Sequence, residues 1–307
     1  MKTFLVMALA MLALLRAAAQ VSVEVVLDQE QFLPSESLPV AVKITNRSGQ
    51  RLHLGADANW LTFSVESTDG FVVNKSSDVP VVGEFDLEST QMGIKRVDLA
   101  PYFSLAKQGR YKLTATLRIR DWTAQVPSPT KFFDVIGGAK IWSQDFGVPV
   151  VGGQPEVRRF TLEQANYLRS QLRLYVQVSD APEARIYKVT ALGPMVSFGQ
   201  PEAQVDRTSR LHVLWQTGAQ SFSYAIINPA GTVVNQEAYD NFNSRPRLTV
   251  NENGEVAEVG GTRRMKPNEL PVVRPPNELP VVPMIKSPEE VPHSVATPPA
   301  DAPGRAR

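Results

Sequence analysis

The chain has 307 residues, 43% of them hydrophobic, and carries 32 basic against 31 acidic side chains. That length allows two ordinary domains of roughly 100–150 residues, and the even charge balance argues against steering to nucleic acid or an anionic membrane. Cysteine is absent, which excludes disulfides, thiol catalysis, thiolate metal sites and lipid attachment through an N-terminal cysteine.

Residues 1–19 have the form of a secretory signal: Lys2, an apolar run from Phe4 to Leu15, then Ala17-Ala18-Ala19 as a small-residue cleavage site. The apolar run is shorter than the ~20 residues that span a bilayer, so cleavage is expected, with retention as an anchor the alternative. A secreted or periplasmic location follows, in a bacterial rather than a eukaryotic setting, because small eukaryotic extracellular domains lean on disulfides. Asn46-Arg-Ser48 and Asn74-Lys-Ser76 match the glycosylation sequon, which matters only in a eukaryotic host.

Residues 20–136 alternate with a period of two in short runs. Gly109–Arg120 is the cleanest: Tyr111, Leu113, Ala115, Leu117 and Ile119 share one face, and Arg110, Lys112, Thr114, Thr116, Arg118 and Arg120 the other. Val21–Leu27, Leu38–Ile44, Arg51–Leu54, Leu61–Val65, Phe71–Val73, Lys95–Leu99 and Lys131–Val135 are the other expected strands. Turn chemistry at Asn46-Arg-Ser-Gly49 and Thr68-Asp-Gly70 separates some of them. Short strands at this spacing predict an all-β sandwich. Tyr111, at the start of a late strand, is placed to make a corner hydrogen bond. Trp60 and Trp122 sit at strand ends, where a core or edge position is expected and a ligand platform is the alternative.

Phe32-Leu-Pro-Ser-Glu-Ser-Leu38, Asn46-Arg-Ser-Gly49 and Gly109-Arg-Tyr111 resemble the phrasing of bacterial immunoglobulin-like domains. Similar phrases occur in macroglobulin-type sandwiches and in the intracellular proteinase-inhibitor family of bacilli. The resemblance implies an immunoglobulin-like β-sandwich. Were the chain an inhibitor, the long segment Asn74–Glu88 would enter the protease cleft; a solvated loop is the plainer expectation.

Residues 139–264 carry a repeat at an offset of 37: Leu174, Val176, Tyr187 and Val196 align with Leu211, Val213, Tyr224 and Val233. Arg247, Leu248 and Val250 begin a third copy. The predicted strands of the second copy are Leu211–Trp215, Ser221–Ile227 and Thr232–Asn235, and Asn251-Glu-Asn-Gly254 predicts a hairpin. The repeat length and the phrase Arg210-Leu-His-Val-Leu-Trp215 resemble blades of a β-propeller of the sialidase type. A propeller needs about four blades, so a small sandwich is expected first and a ring closed by several chains second. Thr161–Ser170, with Thr161 as cap and Gln164 three residues on, predicts a helical turn or two. Val148–Gly153 before it predicts a loop.

Residues 265–307 form a tail with 11 prolines among the 42 residues after Met265, and Pro267-Asn-Glu-Leu-Pro-Val-Val273 recurs as Pro276-Asn-Glu-Leu-Pro-Val-Val282. Such a segment cannot build a core and is expected to be disordered, serving as a spacer or a docking strip for a groove that accepts polyproline II.

Chemistry is thinly signalled. Of the three histidines, His53, His212 and His293, none sits in a zinc or nucleophile motif, and His212 is expected as a half-buried packing residue. Asp145, Glu156, Asp180, Glu183, Glu237 and Asp240 are carboxylates that glycosidase chemistry could pair. Trp142, His212, Trp215, Pro267, Leu270, Pro276 and Leu279 are candidate contact residues. The expectation is a secreted or periplasmic, non-enzymatic binding or structural module of the bacterial envelope. Its partner would be a protein or envelope component, and no cofactor or metal is expected. A protease inhibitor acting through the first domain and a carbohydrate-binding or carbohydrate-active protein acting through the second are the alternatives. The last of these needs an exposed Trp142 or Trp215 beside a carboxylate pair.

Overall fold

The computed structural model describes residues 20–122, 124–149 and 152–265. The expected signal segment and the tail, with Pro267, Leu270, Pro276 and Leu279, lie outside them. The described chain is all-β: no α-helix occurs among the described residues, and one 3-10 turn spans Arg120–Trp122.

The first ten strands are β1 (Val21–Leu27), β2 (Gln31–Phe32), β3 (Pro39–Asn46), β4 (Leu52–Leu54), β5 (Leu61–Ser67), β6 (Phe85–Leu87), β7 (Met92–Asp98), β8 (Gly109–Ile119), β9 (Ala124–Pro127) and β10 (Lys131–Val135). One sheet has the order β1-β3-β7, a second β2-β10-β8-β5 with β9 against β8, and β4 pairs with β6. Both larger sheets contribute to a single apolar core. β8 supplies it as its period requires: Tyr111, Leu113, Ala115, Leu117 and Ile119 are at most 1% exposed. A fully buried leucine of this kind contributes about 1.5–3 kcal/mol.

The phenol of Tyr111 donates to the Lys107 carbonyl at 2.6 Å, so the corner bond expected from the sequence is present. Tyr111→Phe keeps the ring, which stacks on Phe133 at 5.4 Å, and loses only that bond. A loss of about 1 kcal/mol in chemical denaturation is expected. Trp60 is 2% exposed and Trp122 is half-buried against the same core. Asn46 is buried with its amide spent on the Gln50 and Leu87 carbonyls, so this sequon offers no accessible acceptor.

Two expectations are corrected here. Phe71–Val73 is not a strand; Phe71 instead packs edge-on against Tyr111, 5.6 Å between centroids. Asn74–Glu88 is a solvated loop only in part: most of its side chains are exposed, but Val79 and Val81 are buried, Trp60 Nε1 donates to the Val81 carbonyl at 2.7 Å, and Phe85–Leu87 form β6.

The remaining strands are β11 (Ala139–Val148), β12 (Glu156–Tyr167), β13 (Gln171–Asp180), β14 (Ile186–Pro194), β15 (Glu202–Val205), β16 (Leu211–Gln216), β17 (Ser221–Ile227), β18 (Val233–Asp240), β19 (Arg247–Val250), β20 (Val256–Val259) and β21 (Thr262–Arg263). The orders are β11-β12-β13-β14 and β15-β16-β17-β18-β21, with β19 and β20 forming a separate hairpin. The repeat positions lie on different sheets: Leu174 and Val176 on β13, Leu211 and Val213 on β16, all in one core with Val178 and Trp215. The third copy, Arg247–Val250, becomes β19 of the hairpin. Its turn is the one the Asn-Gly signal predicts, with Gly254 at φ +70° and no room for a Cβ, which would lie 2.6 Å from Arg207 Nε.

The helix expected over Thr161–Ser170 is overturned, since most of that stretch belongs to β12. Residues 158–167 pair with β13 and residues 156–164 with β11. Phe160 and Leu162 enter the shared core on one face, while Ala165 is buried on the other. Two partner strands outweigh a local capping signal. The loop expected from Val148 is shortened as well, because Val148 closes β11.

The described residues up to Arg264 form one compact unit, and a seam joins its two large cores. Leu33 packs with Ala165, Tyr175 and Val189, with Ile136 alongside. Glu36 makes a parallel bridge to Val189. Glu30 N donates to the Tyr167 hydroxyl at 3.2 Å and Leu168 N to Gln31 Oε1 at 2.6 Å. Arg173 lies 3.5 Å over the Tyr167 ring and donates to Gln29 Oε1 at 3.3 Å.

The Glu36 carboxylate, 6% exposed, accepts from Leu33 N at 2.7 Å and Gln29 Nε2 at 2.9 Å. Burial raises its pKa, against these two bonds and the nearby Arg173 charge. A carboxyl raised in the fold adds stability that is complete below its unfolded value of about 4.3 and is lost as pH rises through the folded value. Glu36→Gln is therefore expected to remove part of the decline in melting temperature between acidic and neutral pH. Parallel pH profiles of variant and parent would contradict this.

Candidate functional site

Alternation along β16 sends Leu211, Val213 and Trp215 into the shared core and His212 and Leu214 to the opposite face of the sheet. There His212 meets Tyr224 of β17 and Asp206 of the β15–β16 turn. His212 Nδ1 is 2.6 Å from the Tyr224 hydroxyl and Nε2 is 3.2 Å from Asp206 Oδ2. Asp206 also accepts from Thr208 N and Oγ1, each at 2.8 Å, and from Arg210 N and Nε, each at 2.9 Å. Burial pushes its carboxyl up, but the bonds from Arg210, Thr208 and His212 outweigh that and hold it well below the usual carboxylate range. Burial lowers the His212 pKa, against the pull of Asp206, so the ring is neutral at neutral pH. With one ring proton, Nε2–H donates to Asp206 and Nδ1 accepts from Tyr224.

This hydroxyl–imidazole–carboxylate order is the connectivity of a Ser-His-Asp triad, but the hydroxyl is spent. Tyr224 is 3% exposed, and burial, with the charges of Glu258 and Glu237, pushes its phenol up to about 12. A nucleophile needs access and a lowered pKa, and this oxygen has neither. The array ties the β15–β16 turn to the middle of the sheet. A second tie adjoins it: the Tyr239 hydroxyl lies 2.6 Å from Glu258 Oε1 and 2.9 Å from Glu237 Oε2. Leu248 N donates to Glu202 at 2.8 Å. The hairpin β19–β20 is thereby fastened over Leu214, Phe222, Tyr224 and Tyr239.

His212, expected as half-buried, is 3% exposed and hydrogen-bonded on both nitrogens. Trp215 is 1% exposed and donates to the Pro194 carbonyl at 3.0 Å, which corrects its candidacy as a ligand platform: no ring face is open. Trp142 is half-buried against the same core. The six acids proposed for sugar chemistry are each engaged. Asp145 and Glu183 hold Arg159 at 2.6 and 3.0 Å, Glu156 holds Arg158 at 2.8 Å, and Asp180 accepts from Arg185 N at 3.0 Å. Glu237 accepts from Tyr239, and Asp240 from Arg264 at 2.7 Å. Exposed His53 bonds Asp86 at 2.9 Å, which raises its pKa. Among the described residues no group of three or more His, Asp or Glu side chains is placed to hold a metal ion, and no helix is long and apolar enough to cross a membrane. Sequence reasoning missed Asp206 and Tyr224; the available signal was Asp206-Arg-Thr208, an Asx turn before a strand.

Two of the clefts on the surface of the described residues exceed 600 Å³. One, of about 660 Å³, lies at the seam and is lined by Ser35, Ser37, Ser76, Ser104, Tyr187 and Lys188 among others. The other, of about 630 Å³, lies between the β15–β16 turn and the hairpin, where Arg207, Arg210, Asn251 and Asn253 meet.

No protein-family model matches the chain, and no curated protein matches it. Among solved structures it is similar to Spo0M, a sporulation control protein from Bacillus subtilis, with 9% identity, 54% of this chain and 81% of that chain covered, and a TM-score of 0.29. A likeness that low carries no argument about fold or function.

Proposed function

We propose that the chain is a non-enzymatic binding or structural module, secreted or periplasmic, that presents its clefts and tail to a protein or envelope partner. The observation that supports this best is the seam: an apolar cluster, a backbone bridge and cross-bonded side chains fix the two cores in one unit. A scaffold that holds recognition surfaces in fixed relation lowers the ordering cost of binding. The Tyr224–His212–Asp206 array agrees with it, since its groups are used for fastening.

The first half supports an immunoglobulin-like reading through two features, the Tyr111 corner and the parallel pairing of β2 with the last strand β10. For an inhibitor, the Asn74–Glu88 segment would have to present free backbone. Here the Val81 carbonyl is held by Trp60, and those of Val82 and Gly83 lie 3.4 and 3.1 Å from Lys95 Nζ, which favours the module reading. The sugar-directed alternative is weakened by the burial of Trp215.

A pull-down from envelope extract compares the full chain with a version ending at Arg264. A partner captured only by the full chain assigns docking to the proline repeat. A partner captured equally by both assigns it to the β unit. Capture of nothing specific by either version rejects the module reading.

A further inference from the structure

The β15–β16 turn is anchored by its first residue. Asp206 accepts from the backbone amides of Thr208 and Arg210, from the Thr208 hydroxyl, and from Arg210 Nε and His212 Nε2, so the backbone around Arg207 is held. The tip of the β19–β20 hairpin is anchored in the same way. Asn251 Oδ1 accepts from Glu255 N at 2.9 Å, Asn251 N donates to the Glu255 carbonyl at 3.0 Å, and Gly254 N donates to the Asn251 carbonyl at 2.9 Å. The cleft of about 630 Å³ lies between these two turns.

Arg207 stands in this cleft with its guanidinium unused. Its side chain is exposed and makes no hydrogen bond, ion pair or ring contact among the described residues. Its Cγ, Cδ and Nε lie across Gly254, at 2.9, 3.0 and 2.6 Å from where a Cβ would stand. The missing Cβ is therefore the bed of the arginine, and a guanidinium laid along a fixed turn costs less to order on binding. Arg210 adds to it: Nε donates to Asp206 at 2.9 Å, and its terminal N–H groups have no partner among the described residues.

The two acids of the lining are engaged elsewhere. The Asp206 side chain is 6% exposed and saturated by the turn. Glu255 takes Asn251 Nδ2 at 2.7 Å and forms no ion pair with either arginine among the described residues. Thr208, Thr249 and Asn253 bring hydroxyls and an amide to the rest of the lining, and no aromatic ring among the described residues joins them. A planar fork of N–H donors matches the oxygens of a carboxylate or a phosphate. The volume, within the ~300–1,000 Å³ of ligand pockets, leaves room for a polar body attached to that group.

We propose that the cleft between the β15–β16 turn and the hairpin binds a polar ligand through a carboxylate or phosphate group, held by Arg207 with Arg210 beside it. This rests on the module reading and names the chemistry that its envelope partner would carry.

The test titrates glucuronate, a phosphate ester of glucose, and glucose itself into the isotope-labelled full chain at fixed ionic strength, one sugar body with a carboxylate, a phosphate or neither. The Arg207 Nε–H signal in the nitrogen–proton spectrum is identified by its loss in Arg207→Lys. Expected is a saturable shift of that signal with at least one of the two acids and none with glucose. In Arg207→Ala, read from the Thr208 and Asn253 amides, affinity should fall about tenfold or more at unchanged melting temperature. Arg207→Lys keeps the charge but not the fork and should recover only part of the loss. Saturation by glucuronate alone supports the site and assigns the group as a carboxylate; by the ester alone, as a phosphate. Saturation by neither acid, an equal response to glucose, or undiminished binding by Arg207→Ala would each overturn the proposal. If the pull-down partner is retained by Arg207→Ala, the cleft is not its site although the module reading stands. If an acid binds as expected while the extract yields no partner, the cleft stands and the envelope partner does not.

Discussion

Asp206→Ala is expected to destabilise the folded chain by about 3–5 kcal/mol, because truncating one member of a buried charged network strands the others. The Asp206 side chain is 6% exposed and accepts from two backbone amides and three side chains. Alanine leaves the Nε2–H of the buried His212 ring without its acceptor at the base of the cleft beside the hairpin. Tyr224→Phe takes a single bond from the other ring nitrogen and should cost about 1–3 kcal/mol. Urea denaturation of both variants gives the comparison. A near-neutral Asp206→Ala would mean that the turn relaxes and water replaces the carboxylate. The pH dependence has a definite sign. The folded pKa values of Asp206 and His212 are both lowered, so both contribute stability that is present above their unfolded values and lost on acidification. Loss should begin as pH falls through about 6.5, where an unfolded histidine takes its proton. Asp206 adds to it only in strong acid. The His212 part runs opposite to that of Glu36, so a single-site variant at each position separates them.

Trp215→Ala is the second large effect, about 3–5 kcal/mol for a buried aromatic truncated in a packed core. Trp142→Ala, at a half-buried position on the same core, should cost clearly less. The pair distinguishes packing from recognition: if Trp215→Ala left stability unchanged but abolished ligand capture, its placement in the core would be wrong. Thermal and urea melts of the two variants, beside capture of any partner found by pull-down, read both properties on the same samples.

The sequence was most legible where one physical constraint acted alone. β8 has a dry face and a half-wet face, and its alternation could be read residue by residue. The Asn251–Gly254 hairpin was equally plain, because few residues tolerate positive φ. β12 misled because its pattern is not alternating: Phe160, Thr161 and Leu162 are consecutive and all buried, since both faces of that strand are covered. A local capping phrase then looked stronger than it was. β2 has two residues and pairs with a strand about a hundred positions away, so no local window contains its reason for existing. The candidate site follows the same rule. His212 stood out by residue type, but Asp206 and Tyr224 became its partners only through the strand register. Leu33 and Glu36 of the seam sit in what looks like ordinary turn sequence, Leu-Pro-Ser-Glu.

The seam also sets an order of events for a chain made from its N terminus. Within residues 29–36, Gln31 and Phe32 complete the sheet of β10, β8 and β5 by pairing with Asp134 and Val135, and the segment docks on Tyr167, Arg173 and Val189. Both debts fall due late, after more than a hundred residues have followed. Until then a stretch holding Phe32 and Leu33 has no partner, and loop closure over that span is slow to be repaid. The first core can close once Val135 is made, but the seam cluster of Leu33 with Ala165, Tyr175 and Val189 belongs to both halves, so the two should melt in one calorimetric transition rather than in succession.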